Sequence, residues 1–183
     1  FLQSALSQAI DVSFNMIDVD GDQSTNDTVL LFSNGAAGGN QLSGASDSAV
    51  LFQDALERLS VHLAKELVRD GEGAERIFAV TVDGAASVAD ARVAAREIAS
   101  SSLVKAMVHG RDPNWGRIMM ALGKSGAEID EPKIDIFINY IHIVHEGKAI
   151  PYYTDAVVGG MNVPEVRFRV SLGIGESTGI AWG

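Results

Sequence analysis

The sequence predicts a mixed α/β fold, of the α/β or α+β class, from three patterns. Apolar residues recur every three or four positions over 46–69 and 87–101, which is the period of an amphipathic helix. "RIFAVTV" (76–82) is a short continuous apolar run of the kind that fills a buried strand. "KIDIFINYIHIVHEGKAI" (133–150) and "EVRFRVSLG" (165–173) instead alternate apolar and polar residues with period two, as half-exposed antiparallel strands do.

The elements follow in order along the chain. Leu2, Leu6, Ile10 and Phe14 open it at helical spacing with no capping residue ahead of them. A chain that begins inside a helix suggests a start that was cut or lies upstream. Residues 28–33 read as a buried strand, ended by the Gly-rich loop "NGAAGGNQLSG" (34–44). The next helix spans 46–69, with Ser46 or Asp47 as N-cap, Gly71 past its end, and Phe52, Leu56, Leu59, Leu63 and Leu67 expected inward. After the strand at 76–82, the helix over 87–101 turns Val88, Ala91, Ala95 and Ile98 inward. "LVKAMVHG" (103–110) fits a short strand or a helix extension. "DPNWGRIMMALG" (112–123) starts a helix with Asp112 as cap and Pro113 at its first position. A boundary is expected near Glu75.

Composition limits the partners. With 14 basic against 24 acidic residues and no Lys/Arg cluster, the surface would repel nucleic acid and anionic membrane. No apolar run approaches the roughly 18–20 residues that span a bilayer. The absence of cysteine removes disulfides, thiolate nucleophiles and Cys-based zinc sites together. A nucleophile must then be oxygen or nitrogen, and a reducing compartment fits, with cytoplasmic and, for a fungal protein, mitochondrial-matrix locations both compatible.

Several short motifs fail on inspection. "DVDGDQSTNDTVLLF" (18–32) looks like a calcium loop, but the sixth and twelfth positions are Gln23 and Val29, or Thr25 and Leu31 in the second register, instead of Gly and Glu. Asp18, Asp20 and Asp22 are expected as turn acids on a hairpin bent at Gly21, with Ser24, Thr25, Asn26 and Asp27 bonding nearby backbone. "GKS" (123–125) lacks the P-loop glycine, because Ile118 stands there. "GIGESTG" (173–179) has no helix after it to receive a pyrophosphate. His142 and His145 are three apart, which on a regular strand sends them to opposite faces, so no metal is expected.

Glu72, in "RDGEGAER", is different. It follows the long helix between Gly71 and Gly73, where backbone can bend closely around a ligand and leave one carboxylate projecting. A solvated residue at a helix end is the plainer alternative, although a helix C-terminus disfavours negative charge.

Three stretches then belong together: "DGDQSTNDTVLLFSNG" (20–35), "DGEGAERIFAVTVDGAAS" (70–87) and "LVKAMVHGRDPNWGRIMMALGKSG" (103–126). In this order and spacing they resemble the β chain of the ornithine acetyltransferase family, also called glutamate N-acetyltransferase or the bifunctional arginine-biosynthesis acetyltransferase. The resemblance runs through nearly the whole chain. It implies a layered αββα sandwich similar to N-terminal-nucleophile hydrolases, with an additional smaller α/β part. Residues 1–75 would be the β-chain half of that sandwich and 76–183 the second part, with the last strand (165–183) returning to the sandwich.

The resemblance also implies a precursor that cleaves itself before a threonine, with α and β chains staying together as an α2β2 heterotetramer. The exposed Thr is the nucleophile and its own amine a base, a pairing suited to a hydroxyl activated without His or Cys. It would take acetyl from N-acetylornithine and pass it to glutamate. Acetyl-CoA serves some members as a second donor, and no cofactor is needed. Backbone and hydroxyl donors from the α chain would stabilise the oxyanion, at about 2.7–4 kcal/mol per donor.

In the family pattern the Thr stands upstream of Phe1, and a tail past Gly183 adds an Asn and a Ser or Thr, so residues 1–183 are expected to hold no catalytic nucleophile. The one substrate residue that the resemblance places in this sequence is Glu72. Arg111 and Arg117 are candidates for holding a substrate carboxylate, with Asp112 as a competing structural partner, and Trp115 is expected to pack in the core. Two rival readings remain: a noncatalytic ligand-binding or scaffold relative, and an amidohydrolase or aminopeptidase on a similar self-cleaving fold.

Overall fold

Strand β1 (Ile77–Ala85) organises the structure, because its apolar run is long enough to be buried on both faces at its start. The coordinates are a computed structural model that describes residues 1–39, 41–44 and 46–183. The mixed α/β expectation is met. Helices α1 (Leu2–Asp11) and α2 (Asp47–Arg69) precede β1. Three helices follow it: α3 (Val88–Ser100), α4 (Ser102–Gly110) and α5 (Trp115–Lys124). Then come β2 (Asp135–Ile138), β3 (Ile141–His145), β4 (Lys148–Ala149), α6 (Thr154–Gly160), β5 (Glu165–Ser171) and β6 (Ser177–Trp182).

The six strands form one sheet in the order β4-β3-β2-β5-β1-β6. On one face Phe78, Val80 and Val82 of β1 stand beside Val166, Phe168 and Val170 of β5. All six are buried, and the rings of Phe78 and Phe168 meet edge to face at 5.7 Å. Helix α3 covers this face with Ala91, Ala94, Ala95 and Ile98, and its alanines let its backbone lie against β6 at Gly179. The opposite face carries Thr81, Asp83, Phe137, Arg167 and Arg169, all partly or well exposed. Ser87 caps α3 by accepting a hydrogen bond from the Asp90 backbone N–H, and Ser46 caps α2 through that of Ala49. No helix among the described residues is long and apolar enough to cross a membrane.

Several expectations need correction. Residues 28–33 form no strand; Leu31 packs against Ala5, Ala9 and Leu56, while Leu30 and Phe32 project into solvent at 67% and 84% exposure. A strand needs a neighbour for its backbone groups, and none reaches this segment among the described residues. Of the Gly-rich loop expected over 34–44, Asn40 lies outside the described residues. On α2 the buried arc is Ala49, Leu56, Ser60, Ala64 and Val68, whereas Leu59, Leu63 and Leu67 are about half exposed. The helix carries two apolar arcs, and the one with small residues is the one that packs closely. Val88 is likewise exposed, at the very start of α3.

Residues 103–110 are a separate helix, because Ser101 caps it by accepting from the Val104 N–H. Asp112 and Pro113 lie in the link that follows, where Arg111 ends α4 in the left-handed region at φ 53°, and α5 starts only at Trp115 after Asn114. Trp115 packs against the main core as expected. Strand β5 is antiparallel to β2 but parallel to β1, so its period-two pattern reflects its half-open face and not a purely antiparallel sheet. Finally, His142 and His145 share a side. The pairing of β2 with β3 runs Ile136 to Val144 and then Phe137 to His142, leaving Ile143 as an extra residue. That bulge resets the alternation, buries Ile143 and Val144 together and turns both histidines outward.

Candidate functional site

Glu72 lies on the turn that leaves α2, and the two glycines beside it are there for different reasons. At Gly71 a Cβ would stand 2.9 Å from Val19 Cγ1 and 3.2 Å from the Val68 carbonyl oxygen, so only glycine lets residue 19 approach. Gly73 has φ +75°, a conformation that costs other residues strain. The Ala74 N–H closes the turn by donating to the Gly71 carbonyl at 3.0 Å. Glu72 is left exposed, and its carboxylate has no hydrogen-bond or ion-pair partner among the described residues. A long acidic side chain held rigidly by its backbone and unpaired at its tip is suited to meeting a cation.

The carboxylate borders a cleft of about 260 Å³. Val68, Phe78, Val108 and Gly183 give it apolar surface, while Asp18, Arg76, Lys105 and His109 give it polar groups. Lys105, from α4, donates to Asp18 Oδ1 at 2.6 Å, to the Val19 carbonyl at 2.6 Å and to the Asp18 carbonyl at 3.1 Å. It ties the start of the acidic segment to the helix. The Asp18 N–H also donates to the Trp182 carbonyl, and Ile17 bridges Trp182 in parallel, so this wall grows out of β6. Arg76 donates from Nη1 to the Met161 carbonyl at 3.0 Å, while its buried Nε has no partner among the described residues.

The acidic segment makes local turns, but the expected hairpin at Gly21 does not form, since residues 18–33 contain no strand, and Asp18 is reassigned. Asp20 Oδ1 accepts from the Asp22 N–H at 2.9 Å around Gly21, and Ser24 Oγ accepts from the N–H groups of Asn26 and Asp27. These are the local side-chain-to-backbone bonds expected of such residues. Asp18, however, is an ion-pair partner of Lys105 and not a turn acid.

Arg111 and Arg117 do not border this cleft. Arg111 Nη1 donates to Asn162 Oδ1 at 3.1 Å. Arg117 Nη1 donates to the Leu103 carbonyl at 3.1 Å, with Nη2 4.0 Å from Asp112 Oδ2. Sequence reasoning missed Arg76, Lys105 and His109. Their only signal was position: Arg76 follows the GEG turn by three residues, and Lys105 and His109 are four apart on one helix face.

A second charged group lies on the open face of the sheet. Burial pushes the Asp135 carboxyl upward, but the Glu146 backbone N–H, the hydrogen bond to His145 and the two neighbouring imidazoles outweigh it and hold Asp135 below the usual carboxylate range. The hydrogen bond to Asp83, with Asp83's negative charge, raises Arg169 above the ordinary guanidinium value.

Comparison with known proteins gives the family of the chain. The family model described as ArgJ family matches residues 1–183. The arginine biosynthesis bifunctional protein ArgJ of Symbiobacterium thermophilum is 45% identical over 182 residues, covering all of this chain and 45% of that protein. Its counterpart from Dehalococcoides mccartyi is 43% identical over 183 residues, again covering all of the chain and 45% of that protein. The chain thus spans a little under half the length of these curated relatives. A crystal structure of arginine biosynthesis bifunctional protein argJ from Bacillus halodurans superposes with a TM-score of 0.97 at 39% identity, covering all of this chain and 86% of that one. The chain belongs to the ArgJ family.

Proposed function

We propose that the chain is the β chain of a self-cleaving acetyltransferase of arginine biosynthesis, moving acetyl from N-acetylornithine to glutamate, and that Glu72 holds an ammonium group of the substrate. The observation that carries this reading is the unpaired Glu72 carboxylate on a fixed turn at the edge of the cleft. The cleft, at about 260 Å³, lies just below the ~300–1,000 Å³ typical of drug-sized ligand pockets, which suits a small amino-acid ligand. A hydrogen bond to a charged group is worth roughly 1.5–3 kcal/mol. Arg76 supplies a cation to the same cleft for the substrate's carboxylate.

The nucleophile in this reading is the Thr that begins the complete β chain. Its hydroxyl attacks the acetyl carbonyl while its own amine takes the hydroxyl proton, the amide C–N bond breaks, and ornithine leaves carrying a proton on its nitrogen. The amine of glutamate then attacks the threonyl ester, giving N-acetylglutamate and restoring the hydroxyl. Acetyl-CoA would act as a second acetyl donor.

Residues 1–75 would complete the sandwich with the companion α chain in an α2β2 assembly. Leu30, Phe32, Leu59, Leu63 and Leu67 support this, because so many large apolar side chains left exposed mark a surface to be covered. The test is intact mass of the complete two-chain protein before and after N-acetylornithine. A β chain beginning with Thr that gains one acetyl group supports the reading; a Thr that is never acetylated removes the acyl-enzyme.

A further inference from the structure

The bulge in β3 gathers three ligand-type side chains at the far side of the sheet from the Glu72 cleft. Asp135, His142 and His145 each bring one oxygen or nitrogen to within 4.8 Å of the other two. His145 Nδ1 lies 3.0 Å from Asp135 Oδ1, and His142 Nε2 lies 3.6 Å from Asp135 Oδ2. The second separation is too long for a hydrogen bond. His142 Nε2 is consequently a solvent-shielded nitrogen with no partner among the described residues, aimed at a carboxylate oxygen.

The groups around it hold this arrangement in place. The His142 ring stacks on Phe137 with centroids 4.2 Å apart and planes 13° apart, which fixes its orientation. The Glu146 backbone N–H donates to Asp135 Oδ1 at 2.9 Å and orients the carboxylate. Arg169, which lies over the Phe137 ring, is paired with Asp83 at 2.6 Å. Oriented ligands backed by outer hydrogen bonds are the pattern of a metal site.

We propose that Asp135, His142 and His145 bind a divalent transition-metal ion of the zinc class. Two imidazoles and one carboxylate favour zinc, cobalt or nickel over calcium or magnesium, which prefer oxygen ligands. Zinc lies about 2.0–2.1 Å from nitrogen and at a similar distance from oxygen, which places tetrahedral ligand atoms about 3.3 Å apart. The present separations close to that value with modest side-chain rotation, and water would complete the fourth position. The ion would clip β2 to β3 at the edge of the sheet, with β5 between it and β1.

The test uses the complete two-chain protein, free of any affinity tag and stripped with chelator, titrated with Zn²⁺ by calorimetry and with Co²⁺ by visible absorption. One ion per β chain is expected, with at least tenfold weaker binding in Asp135→Asn and in His142→Gln and unchanged binding in His62→Ala. Circular dichroism confirms that each variant is folded, and Zn²⁺ should raise the thermal midpoint of the parent but not of the two site variants. No binding, or binding equally strong in Asp135→Asn and His142→Gln, overturns the site.

Discussion

The sheet with α3 and the N-terminal segment with α2 use apolar residues in opposite ways. In the first, every large apolar side chain the pattern points inward along β1 and β5 is buried, and Phe78, Phe168 and Ile98 are almost inaccessible. In the second, Leu30, Phe32, Leu59, Leu63 and Leu67 remain in solvent although their spacing is as regular as any in the chain. Periodicity reports that a face is apolar. It does not report whether that face meets a neighbour within these residues.

The largest effect should come from breaking the self-contained region. Phe168→Ala removes a buried ring packed on Phe78 and should cost about 3–5 kcal/mol, read by chemical denaturation. A loss under about 1 kcal/mol would mean that this region is not the stable half.

The other region should respond through assembly. If the proposed α chain covers that face, Leu63→Asp and Leu67→Asp together should weaken its association by about 2 kcal/mol or more, read by sedimentation or titration of the separated chains. The folding stability of the β chain itself should change by less than about 0.5 kcal/mol. The reverse pattern, stability lost and assembly kept, would move that stripe into the chain's own core.

Gly71→Ala probes the junction between the two regions. Its methyl group would meet Val19 at 2.9 Å and should displace the acidic segment, at about 1–3 kcal/mol, with a fall in kcat/KM. Parent-like stability and activity would show that the close approach is dispensable. The smallest effect expected is Ser87→Ala, which removes the α3 cap and should cost about 1 kcal/mol in the thermal midpoint analysis. A neutral result there would assign the helix start to packing alone.

The contrast also explains what could be read from residues alone. Ser46 was legible as a cap, beside Asp47, because its bond is local, and β1 was legible because its burial is continuous. The absence of a strand at 28–33 was not, since no strand among the described residues lies beside it to pair with. The outward leucines of α2 misled for the same reason, while the small residues Ala64 and Ser60 beneath them gave a weaker hydropathy signal than the contact they make. The shared face of His142 and His145 depends on one extra residue in β3, which period-two counting cannot show. At the site, the GEG turn pointed to Glu72 through its glycines, but Arg76, Lys105 and His109 reach the cleft only through tertiary packing.

The most direct test of the account is kcat/KM for N-acetylornithine in the complete two-chain enzyme with Glu72→Ala, alongside a check that self-cleavage is intact. The account predicts normal cleavage and a ten- to hundredfold fall, each factor of ten being about 1.4 kcal/mol. Normal cleavage with an unchanged kcat/KM would take Glu72 out of the substrate site and contradict the account.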